Sequence, residues 1–361
     1  MSPLKARLVE RIRRDGPLPV ADYMAACLDD PEHGYYRAGG DPLGEQGDFT
    51  TAPEISQVFG ELVGLWLGVA WQGLGAPAPF TLAEAGPGRG TLMADLLRAV
   101  RHVPGFADAA RLHLVESSPA LRRRQAEALP DARPTWHDGL ETLPDGPLFL
   151  VANEFLDALP VRQVVFHDGR WCERVVTATA DGALAFAAGP PAAALPPGCP
   201  DTADAGTVAE HGPAAEAVVA TVARHVATRG GAALFIDYGP AEPAGPGDTL
   251  QAVRGHAYSD PLAAPGETDL TAHVAFPALA DRARAAGAAV HGPVPQGDWL
   301  LRLGVEARAD RLARAAPDRR AGIGNAVGRL IQADGMGTLF KVMAVTHPRL
   351  GVPAGFEGSA A

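Results

Sequence analysis

The residues best suited to chemistry lie in one short stretch, TLAEAGPGRGTLMADLLRAV, which runs from Thr81 to Val100. An apolar run ends near Glu84, three glycines follow at every second position, and a helical pattern begins directly after them. Glycines allow a tight turn and a close backbone approach, and the amino-terminal end of a helix favours negative charge. This strand–loop–helix pattern predicts a nucleotide-binding site. The alternative is a sharp turn that binds no ligand.

The spacing of the glycines bears on the kind of nucleotide. A dinucleotide site usually spaces them G-x-G-x-x-G, whereas here they are Gly86, Gly88 and Gly90. The tighter spacing, with an acidic residue before it, resembles the class I methyltransferases that use S-adenosylmethionine (SAM). Glu116 ends the next apolar run, where a carboxylate accepts hydrogen bonds from the ribose hydroxyls of either cofactor. Glu116 therefore indicates a ribose and leaves both SAM and NAD open.

A second polar group follows the fourth predicted strand, in the segment NEFLDALPVRQ. Ligands of open α/β sheets bind beyond the carboxyl ends of the strands, so Glu154 and Asp157 are the candidate catalytic residues. If the acceptor is an arginine, its cationic guanidinium is a poor nucleophile. A carboxylate can hold it with two hydrogen bonds and concentrate lone-pair character on the other nitrogen, and Glu154 is placed for that role. The alternative for Glu154 is an acid at a helix start, and for Asp157 a helix cap.

Further candidates for a substrate pocket or a lid come from two places. One is the end of the fifth predicted strand, and the other is a long glycine-rich loop with the helix start behind it. Acid, aromatic and hydroxyl groups together could close over a cofactor, whereas each segment alone also fits a strand end or a capped helix start. The residues concerned are Asp48, Phe49, Glu54, Ser56, Asp237 and Tyr238.

The elements that must position these residues form an alternating α/β pattern after the segment GAPAP. Apolar runs bounded by turns, with helical patterns between them, are typical of a parallel sheet covered on both faces. The run TLFKVMAV near the end predicts an antiparallel closing strand. The other strands are predicted from FTLAEAG, RLHLVES, PTWHD, GPLFLVANE, GAALFIDYG and AAVHGPV.

Several segments surround this core. Two helices broken by DGPLP come first, and a long helix is expected to begin at Pro53 with a buried face that includes Leu65. Trp66 and Trp71 are expected to fill a core or an interface. Residues 240–268 read as a loop, and DLTAHVAFPALADRARAAG as a helix.

The expected division of the chain has three parts. Residues 1–75 hold the amino-terminal helices and lid loop, residues 76–347 the core, and residues 348–361 a tail. Within the core, residues 161–212 read as an insertion of three strands followed by a Pro- and Ala-rich segment without regular structure. A helical insertion is expected at about residues 293–335.

Composition narrows the class of protein. The 361 residues carry a formal net charge of -11, which argues against a broad nucleic-acid-binding face and is compatible with a basic protein partner. No run of about 18 apolar residues predicts a membrane span. The histidines show no metal-binding spacing, so no metal is expected. Three widely separated cysteines favour a reducing compartment.

Blocks along most of the chain resemble the MidA-type SAM-dependent methyltransferases, a family that includes the mitochondrial protein-arginine methyltransferase that assists complex I assembly. The block GDFTTAPEISQVFGELVG is the most specific. The others, in order, are GYY, EAGPGRGTLMADLLR, LVESSP, NEFLDALPV, DYG, DLTAHVAF and MGTLFKV. The Pro- and Ala-rich segment around residues 187–206 has no counterpart in this resemblance.

The resemblance implies an α/β fold, namely a class I SAM-methyltransferase (Rossmann-like) doubly wound sheet with an amino-terminal helical extension and inserted elements. It implies SAM as methyl donor. In the mitochondrial relative the acceptor is an arginine of a complex I subunit, and this arginine is dimethylated symmetrically. The cofactor-binding residues expected here are Glu84, Gly86, Pro87, Gly88, Gly90, Thr91, Glu116, Ser117 and Asn153.

The resulting hypothesis is a methyltransferase that acts on a protein arginine, possible partners being a complex I subunit or a bacterial equivalent. Three alternatives stay open. The first is a methyltransferase for another protein or a small molecule, the second is a non-catalytic SAM-binding assembly factor, and the third is an NAD-linked oxidoreductase. The composition and the lack of a clear transit peptide suggest a bacterial cytoplasmic protein rather than one of the mitochondrial matrix, and an oligomer is compatible with the sequence.

Overall fold

The computed structural model describes residues 2–37, 50–255 and 257–358, so the expected lid residues Asp48 and Phe49 lie outside the described residues. The α-helices in the described part are α1 (Pro3–Asp15), α2 (Val20–Asp29), α3 (Ala52–Ile55), α4 (Gln57–Gly73), α5 (Thr91–Val100), α6 (Phe106–Ala109), α7 (Pro119–Ala128), α8 (Pro213–Arg229), α9 (Phe276–Ala285), α10 (Gln296–Arg302), α11 (Val305–Ala315) and α12 (Arg320–Ile331).

The strands follow the same numbering along the chain. They are β1 (Leu18–Pro19), β2 (Phe80–Ala85), β3 (Ala110–Val115), β4 (Thr135–His137), β5 (Leu148–Asn153), β6 (Arg162–His167), β7 (Arg170–Ala178), β8 (Leu184–Pro191), β9 (Val208–His211), β10 (Gly231–Tyr238), β11 (Gln251–Arg254), β12 (Ala257–Ser259), β13 (Asp269–Thr271), β14 (Ala289–Pro295) and β15 (Phe340–Thr346). No helix in the described ranges is long and apolar enough to cross a membrane.

The main sheet has the strand order β4–β3–β2–β5–β10–β15–β14. Strands β4 to β10 in that order are parallel, and β15 is antiparallel to both of its neighbours. The chain passes from β2 outward through β3 to β4 and then returns to β5 on the other side of β2, so the winding reverses between β2 and β5. Ligands of such sheets bind at this reversal. The expected doubly wound α/β sheet with an antiparallel closing strand is confirmed.

Burial explains why the central strands have continuous apolar runs. Every residue of β2, β5 and β10 is buried, as expected for strands covered on both faces. Helix α4 approaches α5 at Gly64, where an added Cβ would lie 2.9 Å from the Cα of Leu96, so a larger residue would push the helices apart. Trp71 packs against Phe80 and Phe106, with ring centroids 5.7 and 5.3 Å away, which confirms its core role.

The chain divides into two compact units. The second unit comprises Thr50–Leu156, Val218–Ala241 and Phe276–Ala361, and it contains the main sheet. The first unit comprises Met1–Phe49, Asp157–Ala217 and Glu242–Ala275. It contains a sheet in the order β1–β7–β6–β9, with β8 also paired to β7, and a small sheet in the order β12–β11–β13. The division into domains given above stays a prediction.

The helix expected from Pro53 onward is interrupted. Ser56 has an extended backbone, with φ -155° and ψ 128°, and separates α3 from α4. Its hydroxyl accepts a hydrogen bond from the backbone N–H of Val58 at 3.3 Å, so it caps a new helix instead of continuing the old one. Leu65, expected on the buried face, is 37% exposed. The core-facing side of α4 runs instead through Leu62 and Trp66.

Several segments contain strands that local patterns did not predict. The expected loop at 240–268 contains β11 and β12, and the expected helix that starts at Asp269 begins as β13 and becomes helical only at Phe276. Strand β8 continues to Pro191, into the Pro- and Ala-rich segment. Each of these strands is formed by pairing with another strand, β12 and β13 with β11 and β8 with β7. Such pairing overrides weak local preferences.

Candidate functional site

The glycine loop between β2 and α5 has the backbone that its spacing predicts. Gly86, Gly88 and Gly90 have φ values of 66°, 53° and 85°, a region in which residues with a Cβ are strained. The loop is closed by two hydrogen bonds, from the N–H of Gly86 to the carbonyl of Val115 at 3.1 Å and from the N–H of Gly90 to the carbonyl of Pro87 at 2.7 Å. This geometry lets a ligand approach the backbone closely.

Glu84 lies near the end of β2, directly before this loop, and is 3% exposed. Its Oε2 atom is buried and has no hydrogen-bond partner among the described residues. Burial disfavours the charged carboxylate and raises the pKa of Glu84 to about 8. On the neighbouring strand β5, the Oδ1 atom of Asn153 is also buried and lacks a hydrogen-bond partner in the same described ranges.

Two buried polar atoms that lack a hydrogen-bond partner in the described ranges, at the ends of adjacent strands, are costly unless something else supplies hydrogen bonds. An amino group or hydroxyl groups of a ligand would do so, and the three glycines of the loop beside them carry no side chain at those positions. These residues fit a nucleoside that carries an amino acid, as SAM does.

Glu116 follows β3 at the same edge of the main sheet and is also buried. Its Oε1 atom accepts a hydrogen bond from the N–H of Ser118 at 2.7 Å. Its own N–H donates to the carbonyl of His137 at 2.9 Å, and its carbonyl accepts from Nε of Arg122 at 2.7 Å. Both the backbone and the carboxylate of Glu116 are therefore held in place. Ser117 lies in the turn between Glu116 and α7.

Glu154, the first residue after β5, has an uncommon backbone conformation, with φ 50°. Its N–H donates to the carbonyl of Ile236 at 2.8 Å. Its Oε1 atom accepts two hydrogen bonds, from the N–H of Ala52 and from Nδ2 of Asn153, each at 3.0 Å. A non-glycine residue with positive φ is strained and persists only where its surroundings hold it. The carboxylate is thus held in one direction at the reversal of the sheet.

Asp237, at the end of β10, supports the same turn. It is 1% exposed, and its Oδ2 and Oδ1 atoms accept from the N–H groups of Leu156 and Tyr238, each at 2.9 Å. The buried ring of Tyr238 packs against Phe340, with centroids 5.5 Å apart. These contacts fit the strand-end interpretation, while a substrate role for either residue stays a prediction.

Helix α3 connects the site to the glycine loop. The Oε1 atom of Glu54 accepts a hydrogen bond from the hydroxyl of Thr91 at 2.5 Å, and its Oε2 atom lies 3.6 Å from Nη1 of Arg89. Since Ala52 of the same helix donates to Glu154, α3 contacts both the loop and the candidate catalytic carboxylate. Ser56 caps α4, as described above.

Asp157 was expected beside Glu154 as a catalytic residue. It is buried, and its carbonyl accepts a hydrogen bond from the N–H of Ala272 at 3.0 Å. It belongs to the first unit, whereas Glu154 belongs to the second. A catalytic role for Asp157 stays a prediction. Within the second unit, the candidates at the carboxyl ends of the strands around the reversal are Glu84, Glu116, Asn153 and Glu154 with the glycine loop.

One contributor to the site escaped sequence reasoning. Gln125 of α7 is fully buried and donates from Nε2 to the carbonyl of Gly88 at 2.8 Å and to Oε2 of Glu116 at 3.2 Å. The signal in the sequence was a polar residue four positions after Leu121, on the buried face of α7. A buried glutamine on an otherwise apolar face usually has a fixed partner.

Comparison with known proteins agrees with this geometry. Residues 62–294 match a family described as "Putative S-adenosyl-L-methionine-dependent methyltransferase". The chain is 37% identical to "Protein arginine methyltransferase NDUFAF7 homolog, mitochondrial" of Drosophila melanogaster, covering 95% of this chain and 84% of that protein. It is 34% identical to the Mus musculus "Protein arginine methyltransferase NDUFAF7, mitochondrial", covering 97% and 86%.

A solved structure is similar over nearly the whole chain. It is the crystal structure of a "likely methyl transferase" from Burkholderia thailandensis bound to S-adenosyl-homocysteine (SAH). The TM-score is 0.85 at 32% sequence identity, with 99% of this chain and 95% of that chain covered. The bound SAH in that structure is what remains of SAM after methyl transfer.

Proposed function

Since this chain belongs to the family of SAM-dependent methyltransferases, we propose that it transfers a methyl group from SAM to a side-chain nitrogen of a protein arginine. The family membership confirms the resemblance, the fold class and SAM as cofactor, and it sets the NAD-linked alternative aside. The choice of arginine is supported by the names of the relatives and by one observation, the constrained carboxylate of Glu154.

The cofactor residues have separate tasks in this proposal. When bound, SAM supplies a methyl group on a positively charged sulfur, which becomes a neutral thioether once the methyl group is displaced. The carboxylate of Glu116 would accept the ribose hydroxyls. The buried, unpartnered atoms Oε2 of Glu84 and Oδ1 of Asn153 would hydrogen-bond to the ligand, and the loop from Gly86 to Gly90 would lie against it.

Glu154 would hold the acceptor. A carboxylate accepts about four hydrogen bonds, so the two that anchor Oε1 of Glu154 are compatible with further bonds to a guanidinium. A charge-assisted pair of this kind fixes the planar guanidinium and favours a lone pair on the nitrogen that faces the methyl group. As the C–N bond forms, the C–S bond breaks, and the methylated nitrogen releases one proton to solvent. The strained φ of Glu154 supports the role, because uncommon backbone conformations gather at functional sites.

The test is the substitution Glu154→Gln. The purified chain and labelled SAM are added to fractionated lysate of a host that lacks the protein, and the labelled amino acids are identified after hydrolysis. We expect methylarginine with the native chain and a loss of about 100-fold or more with Glu154→Gln, because the amide cannot pair with the cation as a carboxylate does. Calorimetry should give the same dissociation constant for SAH in both proteins.

Two controls sharpen this test. Glu306→Gln, an exposed acid on α11, should keep full transfer. If Glu154→Gln keeps transfer while its SAH affinity is unchanged, the proposed clamp is wrong. Label in another amino acid or in a small molecule would favour a different acceptor, and SAH binding without any transfer would favour a non-catalytic assembly factor.

The finer features of the proposal come from the sequence, the acceptor from the family resemblance and the location from the composition. We propose symmetric dimethylation of a complex I subunit or its bacterial equivalent, and a cytoplasmic location in a bacterium. The curated relatives are named as mitochondrial, whereas the similar solved structure is bacterial. Mass spectrometry of complex I subunits from cells with and without the gene would test the acceptor, and cell fractionation would test the location.

A further inference from the structure

Gln125 lies at the centre of a buried polar group that joins three elements. Its Nε2 atom donates to the carbonyl of Gly88 in the glycine loop and to Oε2 of Glu116 after β3, at 2.8 and 3.2 Å. Its Oε1 atom accepts from the indole N–H of Trp136 on β4, at 2.8 Å. Helix α7 lies beside the loop here, since an added Cβ at Gly90 would be in ordinary van der Waals contact with the Cα of Gln125, at 3.5 Å.

The chemistry of these partners determines which way the amide of Gln125 points. An indole N–H can only donate, so the atom that faces Trp136 must be the amide oxygen. The amide nitrogen then faces a carbonyl and a carboxylate, both of which need donors. The opposite orientation would set donor against donor and acceptor against acceptor at all three contacts. Trp136 therefore selects the orientation in which Gln125 serves Gly88 and Glu116.

We propose that Gln125 and Trp136 are positioning residues of the SAM site, with Trp136 orienting the amide through which Gln125 holds Glu116 at a fixed distance from the glycine loop. The inference rests on the assignment of Glu116 and the loop to SAM. In a nucleoside site the ribose carboxylate and the loop must contact one rigid ligand together, so a bond between them prepares the site before the ligand arrives.

The first test is Gln125→Glu, which keeps the shape of the side chain. Trp136 can still donate to it, but an ionised carboxylate would face the carbonyl of Gly88 and the carboxylate of Glu116. On protonation the new acid could donate again. We expect calorimetry to show SAH binding weakened by about tenfold or more at pH 8, with part of the loss recovered at pH 5.5.

The second test separates this effect from other titrating groups. Other charged or titratable side chains of the site and its surroundings include Glu84, Glu116, the Arg122–Asp138 pair and the hydrogen-bonded histidines His113 and His137. All of them are retained in Gln125→Leu, whose side chain cannot titrate. We expect Gln125→Leu to bind SAH about tenfold more weakly at every pH, without the recovery at low pH relative to the native chain.

Two further variants test the role of Trp136 and control for the loss of a buried glutamine, namely Trp136→Phe and Gln296→Leu. Trp136→Phe removes the donor that orients the amide, together with part of the ring, and leaves the amide of Gln125 in place, so it should weaken SAH binding less than Gln125→Leu. Gln296 is equally buried in the same unit and donates to the carbonyl of Leu330 at 3.0 Å, so Gln296→Leu should lower stability and leave SAH affinity unchanged.

The proposal is overturned if Gln125→Leu binds SAH like the native chain or no more weakly than Gln296→Leu does. It is also overturned if Gln125→Glu and Gln125→Leu share one pH profile. If Gln125→Leu does not fold, the test is the SAH affinity of Gln125→Glu: recovery at pH 5.5 supports the proposal, and no recovery overturns it. SAH binding requires no acceptor, so this inference and the proposed function can fail separately. If the Gln125 variants show the expected SAH affinities but the native chain methylates no arginine, the inference is supported and the proposed function is wrong.

Discussion

At the scale of single residues, the carboxylates at the edge of the main sheet differ in what they can still bind. Both carboxylate oxygens of Asp237 accept backbone N–H groups, so this residue shapes the turn after Glu154. Glu84 has a buried oxygen without a donor in the described part of the chain. All three acids, Glu84, Glu154 and Asp237, were singled out from their positions at strand ends. Their different environments depend on neighbouring strands and could not be predicted from one segment.

The burial of Glu84 predicts a pH-dependent stability of the ligand-free protein. The pKa of Glu84 is about 8 in the folded chain and about 4.3 for an unperturbed glutamate. At a pH between these two pKa values, Glu84 has lost its proton in the unfolded chain and keeps it in the folded chain. The contribution of protonated Glu84 to stability is therefore complete below the unfolded pKa and is lost as the pH rises through the folded pKa. We expect urea unfolding to show a loss on the order of 2–4 kcal/mol between pH 5 and pH 8.

Glu84→Gln should remove this part of the pH dependence, because an amide does not titrate. The variant should therefore gain stability relative to the native chain as the pH rises to 8. Glu127→Gln changes an exposed acid on α7 and should follow the native curve. If Glu84→Gln follows it as well, Glu84 is ionised in the folded chain and the assignment of a buried neutral acid is wrong.

At the scale of elements, the regular parts of the site were predictable and the contacts between elements were not. Apolar runs located β2, β3, β5 and β10, and their carboxyl ends carry the candidate residues. The role of Gln125 was missed because it depends on how α7 packs against β4 and the glycine loop. The break at Ser56 was missed because a serine within a helical pattern looks like any polar position until its hydroxyl is seen to cap a new helix.

Alanine substitutions at two glycines of the loop should have effects of different size on stability and SAH binding. Gly86→Ala would place a Cβ 2.8 Å from a ring carbon of Phe155 at φ 66°, whereas Gly90→Ala at φ 85° would meet only ordinary contacts at 3.5 Å. Backbone strain alone costs about 1–2 kcal/mol. We expect Gly90→Ala to lose stability by about that amount, and Gly86→Ala to lose more and to bind SAH more weakly, as measured by denaturant unfolding and calorimetry.

Gly75→Ala is the matched control, because Gly75 has the same φ of 85° and an added Cβ there would contact nothing within 4 Å. It lies in the same unit, after α4 and away from the loop in sequence. It should cost the same strain energy as Gly90→Ala and leave SAH affinity unchanged. Equal affinity losses for Gly75→Ala and Gly86→Ala would show that the loop backbone has no special part in binding.

At the scale of the whole molecule, the chain builds two compact units from interleaved segments. The core of the first unit includes Leu4, Leu8 and Tyr23 from the amino-terminal helices together with Leu250 and Leu270 from much later in the chain. Such a core is not visible in local periodicity, because its members are far apart in sequence. The main sheet was predictable because its strands alternate regularly with helices, as in other doubly wound folds.

The placement of the SAM candidates in the second unit predicts a localised response to ligand. Residues Glu84, Gly86, Glu116 and Asn153 all belong to that unit, so SAH at 100 times its dissociation constant should stabilise it by about 2.7 kcal/mol. Tryptophan fluorescence can follow this, since Trp66, Trp71, Trp136 and Trp299 lie in the second unit and only Trp171 in the first.

Hydrogen exchange locates the effect along the chain. With SAH, amides of β2, α5 and the start of α7 should exchange more slowly, because the ligand would contact the loops that join these elements and suppress their local opening. Amides of β6 and β7, in the first unit, should change least. Equal protection of both units would contradict a site built from the second unit alone. Protection confined to β6 and β7 would show that the residues proposed here for the SAM site are wrong.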